Sequence, residues 1–141
     1  MKSGTERETI LVVDDDPENR TTYSDILADS GYTVIALPDG ASAISAVQEV
    51  SDSDLVITDY QMPDMSGLDL VRTLRKILPS VQTIMLTAYG SIETYFRSRD
   101  LDVFEFVNKP VRNREFERIV RAAIDKSRTV SYDPESATGP L

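Results

Sequence analysis

Short runs of β-branched and aliphatic residues alternate five times with segments whose apolar residues recur at three- and four-residue spacing. That alternation constrains the fold more than any other property of the chain. The strand-like runs are Thr9–Val13, Tyr32–Leu37, Leu55–Thr58, Val81–Leu86 and Val103–Val107. After the first run, Pro17 suits the first turn of a helix, with Asp16 before it as N-cap. Tyr23, Ile26 and Leu27 mark the apolar face of that helix, and Gly31 stops it. A second helix follows the Pro38-Asp39-Gly40 turn and carries Ala43, Ile44, Val47 and Val50. A third carries Leu68, Val71, Leu74 and Leu78 and ends at Pro79. A short helix is expected over Ser91–Leu101, and a last one carries Phe116, Ile119, Val120, Ala123 and Ile124. Five such βα units predict an α/β fold, a doubly wound five-stranded parallel sheet with five helices on its two faces. A length of 141 residues suits one domain. It is expected to span residues 8–128, between flexible ends at 1–7 and 129–141.

Composition removes several classes of function. With no cysteine there is neither a disulfide framework nor a thiolate metal site, and with no histidine neither an imidazole–zinc site nor a Ser-His-Asp hydrolase. No apolar run approaches the roughly 18 residues of a membrane span, and MKSGTERE has no apolar signal region. A cytoplasmic location without membrane contact fits both absences. The net charge is −9. The first ninety residues carry that excess, while residues 91–128 are mildly basic, as a solvated helix face or a docking surface for an acidic partner. The acidic balance argues against direct nucleic-acid binding, which depends on clustered Lys and Arg.

Chemistry concentrates where the strands end. In a parallel sheet, strands one, three, four and five finish on the same edge, where open α/β sheets bind ligands. Those ends bring Asp14-Asp15-Asp16, Asp59, Thr87-Ala88 and Lys109-Pro110 to one crevice. Two or three carboxylates offer the hard oxygen ligands that suit Mg²⁺, which usually takes one or two of them together with a phosphoryl group. Lys109 supplies a point charge for a phosphoryl oxygen and Thr87 a hydroxyl donor. Phosphoryl transfer asks for little beyond such positioning and neutralisation. The attacking group is then the Asp59 carboxylate, giving an acyl phosphate.

The segments VVDDDP, TDYQMPDMSG, LTAYGS and VNKP stand in this order, each at the end of a separate expected strand. Together they resemble the receiver domains of two-component response regulators (the CheY-like family) over roughly residues 8–128. The resemblance implies a flavodoxin-like sheet of order 2-1-3-4-5. It implies that Asp59 is the phosphoacceptor and Asp15 a direct Mg²⁺ ligand, with Asp14 acting mainly through water and the Gln61 carbonyl completing the protein's share. Lys109 would pair with the phosphoryl group, and Thr87 and the Ala88 amide would bind it after transfer. Asp16 fills a variable position and is not expected to be a ligand. The phosphoryl donor would be a sensor histidine kinase or a phosphotransfer protein. The chain would be no enzyme in the usual sense, but a phosphoacceptor that assists its own phosphorylation and dephosphorylation.

The resemblance also implies a switch in which Thr87 moves toward the phosphoryl group and Phe106 swings into the space behind it. That would alter an interaction surface made by the Ser91–Leu101 helix, the fifth strand and the last helix, read by a downstream protein or by a second copy in a homodimer. Phe106 lacks the hydroxyl that many relatives carry there, so its inward state gains packing but no hydrogen bond. Phe104, Tyr95 and Phe96 could join it in an aromatic docking surface. Tyr89 and Gln61 flank the route of water to the phosphoryl group, and a bulky Tyr89 is expected to slow hydrolysis. The pattern departs from the family around YFRSRDLDVF, where Asp102 stands at the usual glycine position. Two other readings compete. An aspartate-nucleophile phosphatase of the haloacid dehalogenase type needs a threonine where Glu18 stands, and a pseudo-receiver that only binds proteins usually lacks part of the acidic set present here. With only a short tail after the last helix, the chain is expected either to act alone by protein contact or to be part of a larger regulator.

Overall fold

A computed structural model describes residues 8–49, 53–88, 103 and 105–132, the last five of these through the main chain alone. The elements are β1 (Thr9–Val13), α1 (Pro17–Asp29), β2 (Thr33–Leu37), α2 (Gly40–Glu49), β3 (Leu55–Asp59), α3 (Gly67–Ile77), β4 (Gln82–Thr87), β5 (Glu105–Asn108) and α4 (Asn113–Tyr132). The five strands form one sheet in the order β2-β1-β3-β4-β5, and every neighbouring pair is parallel. This is the doubly wound arrangement that the alternation predicts. The chain starts at β1, passes to β2 on one side of it, and then crosses to β3, β4 and β5 on the other.

Side chains alternate across the sheet and feed a core on each face. On one face Ile10, Val12, Leu55, Ile57, Ile84, Leu86 and Val107 pack against Tyr23 and Leu27 of α1 and against Phe116, Val120, Ala123 and Ile124 of α4. On the other, Leu11, Val13 and Val56 meet Ala43 and Val47 of α2 and Leu70 and Leu74 of α3. A smaller cluster joins Met85 to Leu68 and Val71, with half-buried Tyr60, Val103 and Phe106 against it. β1 is buried along its whole length, as a strand covered on both faces must be, whereas the edge strand β2 is largely half-exposed. No described helix is long and apolar enough to cross a membrane.

Local signals act as expected at both ends of α1. Asp16 is its N-cap, accepting from the Glu18 N–H at 2.9 Å, with Pro17 in the first turn. Past its other end Gly31 takes a positive φ of 98°, a backbone conformation open to glycine at little cost. Strand limits differ from the apolar runs by one or two residues. β3 continues through Asp59 and β4 through Thr87, because the ladder pairs Asp59 with Leu86 and Thr87 with Asn108 irrespective of polarity. β5 begins at Glu105 instead of Val103, whose side chain serves the small cluster. The expected Ser91–Leu101 helix, with Tyr95 and Phe96, lies outside the described residues, as do Val50, Tyr89, Asp102 and Phe104.

Candidate functional site

Two strand ends deliver three carboxylates to one point. Asp14 follows directly on β1, where its N–H donates to the Leu37 carbonyl at 3.1 Å and continues the ladder to β2. Asp15 is the next residue and is exposed. Asp59 is the last residue of β3, and the Tyr60 N–H that follows it donates to the Leu86 carbonyl at 3.1 Å. Carboxylate oxygens of Asp14, Asp15 and Asp59 come within 4.8 Å of one another. Hard, anionic oxygens gathered at one point are the ligand type that a divalent cation such as Mg²⁺ takes. The donor set therefore fits the metal expected from the sequence.

Lys109 reaches into this cluster from the end of β5. Its N–H donates to the Thr87 carbonyl at 2.7 Å, extending the β4–β5 ladder by one bond. Its Nζ donates to Asp14 Oδ2 at 2.9 Å and lies 3.5 Å from Asp59 Oδ2. The ammonium thus bridges two carboxylates and sits closer to Asp14 than to Asp59. Only 13 % of the Lys109 side chain and 14 % of the Asp59 side chain are exposed, so water screens the interaction weakly. The peptide bond from Lys109 to Pro110 is cis.

Burial and charge set the ionisation of these groups. Burial is the largest influence on Asp59 and raises its pKa. The positive charge of Lys109 works in the other direction, and the charge of Asp14 adds to the rise. For Lys109, burial alone would favour the neutral amine. The hydrogen bond to Asp14 and the charges of Asp14 and Asp59 outweigh it and leave the pKa above its ordinary value. Tyr23, beneath the site in the α1–α4 core with its ring 5.1 Å from that of Phe116, is raised chiefly by burial.

The remaining residues picked out from the sequence surround the same crevice. Asp15, Asp59, Gln61, Thr87, Ala88 and Lys109 all line it, together with Asp16, Asn19, Met62 and Pro63. Thr87 is buried at the end of β4 and Ala88 is exposed beside it. Asp14 is buried, with 3 % of its side chain exposed, and joins the site through Lys109. No sequence motif marks Asn19. Its only signal is its place three residues after the N-cap Asp16, which puts it on the same side of the first turn. Phe106 is half-buried and pairs in register with Met85, two residues before Thr87. Phe106 and Thr87 therefore project from the same face of the sheet.

The β3–α3 loop that carries Gln61 is held at two points. Gly67 donates to the Tyr60 carbonyl at 2.7 Å. Asp64 accepts from the Gly40 and Ala41 N–H groups at 3.2 and 2.9 Å, so a residue of this loop caps α2 from 23 positions away. Those main-chain donors, that of Ala41 foremost, hold the Asp64 carboxyl below its ordinary pKa. Neither tether is visible in local sequence patterns.

The chain is similar to known proteins in sequence and in fold. The chain is 32% identical over 129 residues to the DNA-binding transcriptional regulator NtrC of Azospirillum brasilense, an alignment covering 92% of this chain and 27% of that protein. It is 33% identical over 123 residues to the DNA-binding response regulator MtrA of Mycolicibacterium smegmatis, covering 87% of this chain and 53% of the relative. The chain thus spans between about a quarter and about half the length of these relatives. Among solved structures, a response regulator receiver domain protein from Clostridium thermocellum superposes with a TM-score of 0.82 at 27% identity, over 87% of this chain and 98% of that one. The family model described as "Response regulator receiver domain" matches residues 10–121. The chain belongs to the response regulator receiver domain family.

Proposed function

We propose that this receiver domain accepts a phosphoryl group on Asp59 from a phosphohistidine of a partner histidine kinase or phosphotransfer protein, in the presence of Mg²⁺. The observation that carries the proposal is the convergence of Asp14, Asp15 and Asp59 with the Lys109 ammonium at one sheet edge. A carboxylate oxygen of Asp59 attacks phosphorus. The bond from phosphorus to the imidazole nitrogen breaks, its electron pair stays on that nitrogen, and an acyl phosphate forms on Asp59. Burial, which raises the Asp59 pKa, also makes its carboxylate a better nucleophile. Lys109 holds the carboxylate in place and faces the incoming phosphoryl oxygens. The Thr87 hydroxyl and the Ala88 amide, at the end of β4, receive those oxygens after transfer. Asp14, Asp15, Asp59 and the Gln61 carbonyl would hold the cation, which when bound neutralises charge between carboxylates and phosphoryl oxygens.

Output follows from the shared face of Thr87 and Phe106. Movement of the Thr87 hydroxyl toward the acyl phosphate opens space into which the half-buried Phe106 ring turns. Burying the remaining half of such a ring is worth about 1 kcal/mol, enough to bias a marginal two-state element. The surface around β5 and α4 then reports the state of Asp59 to a downstream protein. The test is incubation with acetyl phosphate and Mg²⁺ followed by intact-mass measurement. A gain of one phosphoryl group is expected in the wild type and not in Asp59→Asn. No gain in the wild type would leave a module that only binds proteins.

A further inference from the structure

We propose that Arg20 is a positioning residue of the metal site, and that its task is to aim the Asp15 carboxylate. Asp15 is exposed and makes no hydrogen bond or ion pair with another described residue, so its side chain does not place itself. The backbone around it is pinned on every side. The guanidinium Nη1 of Arg20 donates to the Asp14 carbonyl at 2.7 Å, and the Arg20 N–H donates to the Asp16 carbonyl at 3.0 Å. Between these two grips the Asp16 N–H donates to Asp14 Oδ1 at 2.9 Å. The peptide planes before Asp15, after Asp15 and after Asp16 are thereby each held by one hydrogen bond: the first by the Arg20 guanidinium, the last by the Arg20 main-chain N–H, which any residue there would supply. With those planes held, the Cα–Cβ direction of Asp15 is held as well. Asp14, whose other carboxylate oxygen accepts from Lys109, cannot rotate independently.

Charge alone argues the opposite role, which is what makes the idea testable. A half-buried cation beside three carboxylates repels an incoming metal ion. If Arg20 were only a charge, its removal would tighten Mg²⁺ binding. If it aims Asp15, removal weakens binding, and partners that orient metal ligands typically cost roughly 10–100-fold in affinity when lost.

The inference rests on the proposed Mg²⁺ site, and calorimetric titration of Mg²⁺ into the 141-residue chain separates the two. No binding to the wild type would overturn the site itself. Given wild-type binding, Arg20→Met is expected to weaken it roughly tenfold. Equal or tighter binding would overturn the role of Arg20 and leave the site standing. A second readout excludes general damage to the fold. In acetyl phosphate reactions, half-saturating Mg²⁺ should rise in Arg20→Met while the rate at saturating Mg²⁺ stays near wild type. A lowered plateau with unchanged half-saturation would count against positioning. Should circular dichroism show Arg20→Met unfolded, Arg20→Lys takes its place, because an ammonium lacks the planar reach of the guanidinium. Wild-type Mg²⁺ affinity in Arg20→Lys would then overturn the inference.

Discussion

Asp59 ionises against burial and against the neighbouring charge of Asp14, with Lys109 as partial relief. A carboxyl whose folded pKa is raised contributes stability that is fully present below its unfolded pKa, about 3.9, and is lost as pH rises through the folded value. Asp59→Asn replaces it with a group that stays neutral at every pH. In buffer with chelator, the variant should therefore gain on the wild type as pH rises from about 4 to 7. The gain should stay below about 4 kcal/mol, the interaction of two charges about 4 Å apart at an effective dielectric near 20, since Lys109 offsets part of the repulsion. Urea unfolding at the two pH values measures it, and a gap that stays constant or shrinks toward neutrality would contradict the account. The nature of the residue made this legible. A carboxylate closing an apolar run at the binding edge of a parallel sheet can be read from the segment LVITDYQMP itself. The reach of Arg20 to the Asp14 carbonyl cannot, because it depends on how one loop folds back on the first turn of α1.

At the scale of elements, the end of β3 and the start of α3 touch so closely that one position tolerates no side chain. A Cβ at Gly67 would collide with the Asp59 carbonyl oxygen and lie 3.1 Å from the Tyr60 Cα. Both are main-chain atoms and cannot yield as a flexible side chain would. Gly67→Ala should therefore push α3 away from β3, lowering stability by about 1–3 kcal/mol and displacing the proposed nucleophile. Wild-type urea unfolding together with wild-type phosphorylation would show that α3 has room to shift. Element types were legible throughout the described residues, because periods of two and of three to four residues separate cleanly. Element limits were less so. Apolar content stops at Thr58 and Leu86, but ladder hydrogen bonding carries β3 to Asp59 and β4 to Thr87, since a parallel partner is present whatever the side chain. The cap that Asp64 gives α2 spans 23 positions and has no local signature, whereas the Asp16 cap is read from its neighbour Pro17.

Across the whole molecule the acidic cluster is a concentration of like charge that a bound cation would relieve. The chain carries a net charge of −9, and among the described residues three carboxylates meet at Asp14, Asp15 and Asp59. A ligand that binds only the folded state stabilises it by mass action, about 2.7 kcal/mol at a hundred times its dissociation constant. Millimolar Mg²⁺ should therefore raise the melting temperature by several degrees, about 2–4 °C or more for each kcal/mol. Asp15→Asn should reduce that rise, and a melting temperature indifferent to Mg²⁺ would count heavily against the site. The hold of Lys109 on Asp14 adds a matter of timing. While the cluster lacks a cation, the ammonium serves Asp14 as an internal counter-ion. A divalent ion that took over that carboxylate would free the lysine to turn toward Asp59 and an anion arriving there. Under the proposed function, that single hydrogen bond would favour cation first and phosphoryl donor second.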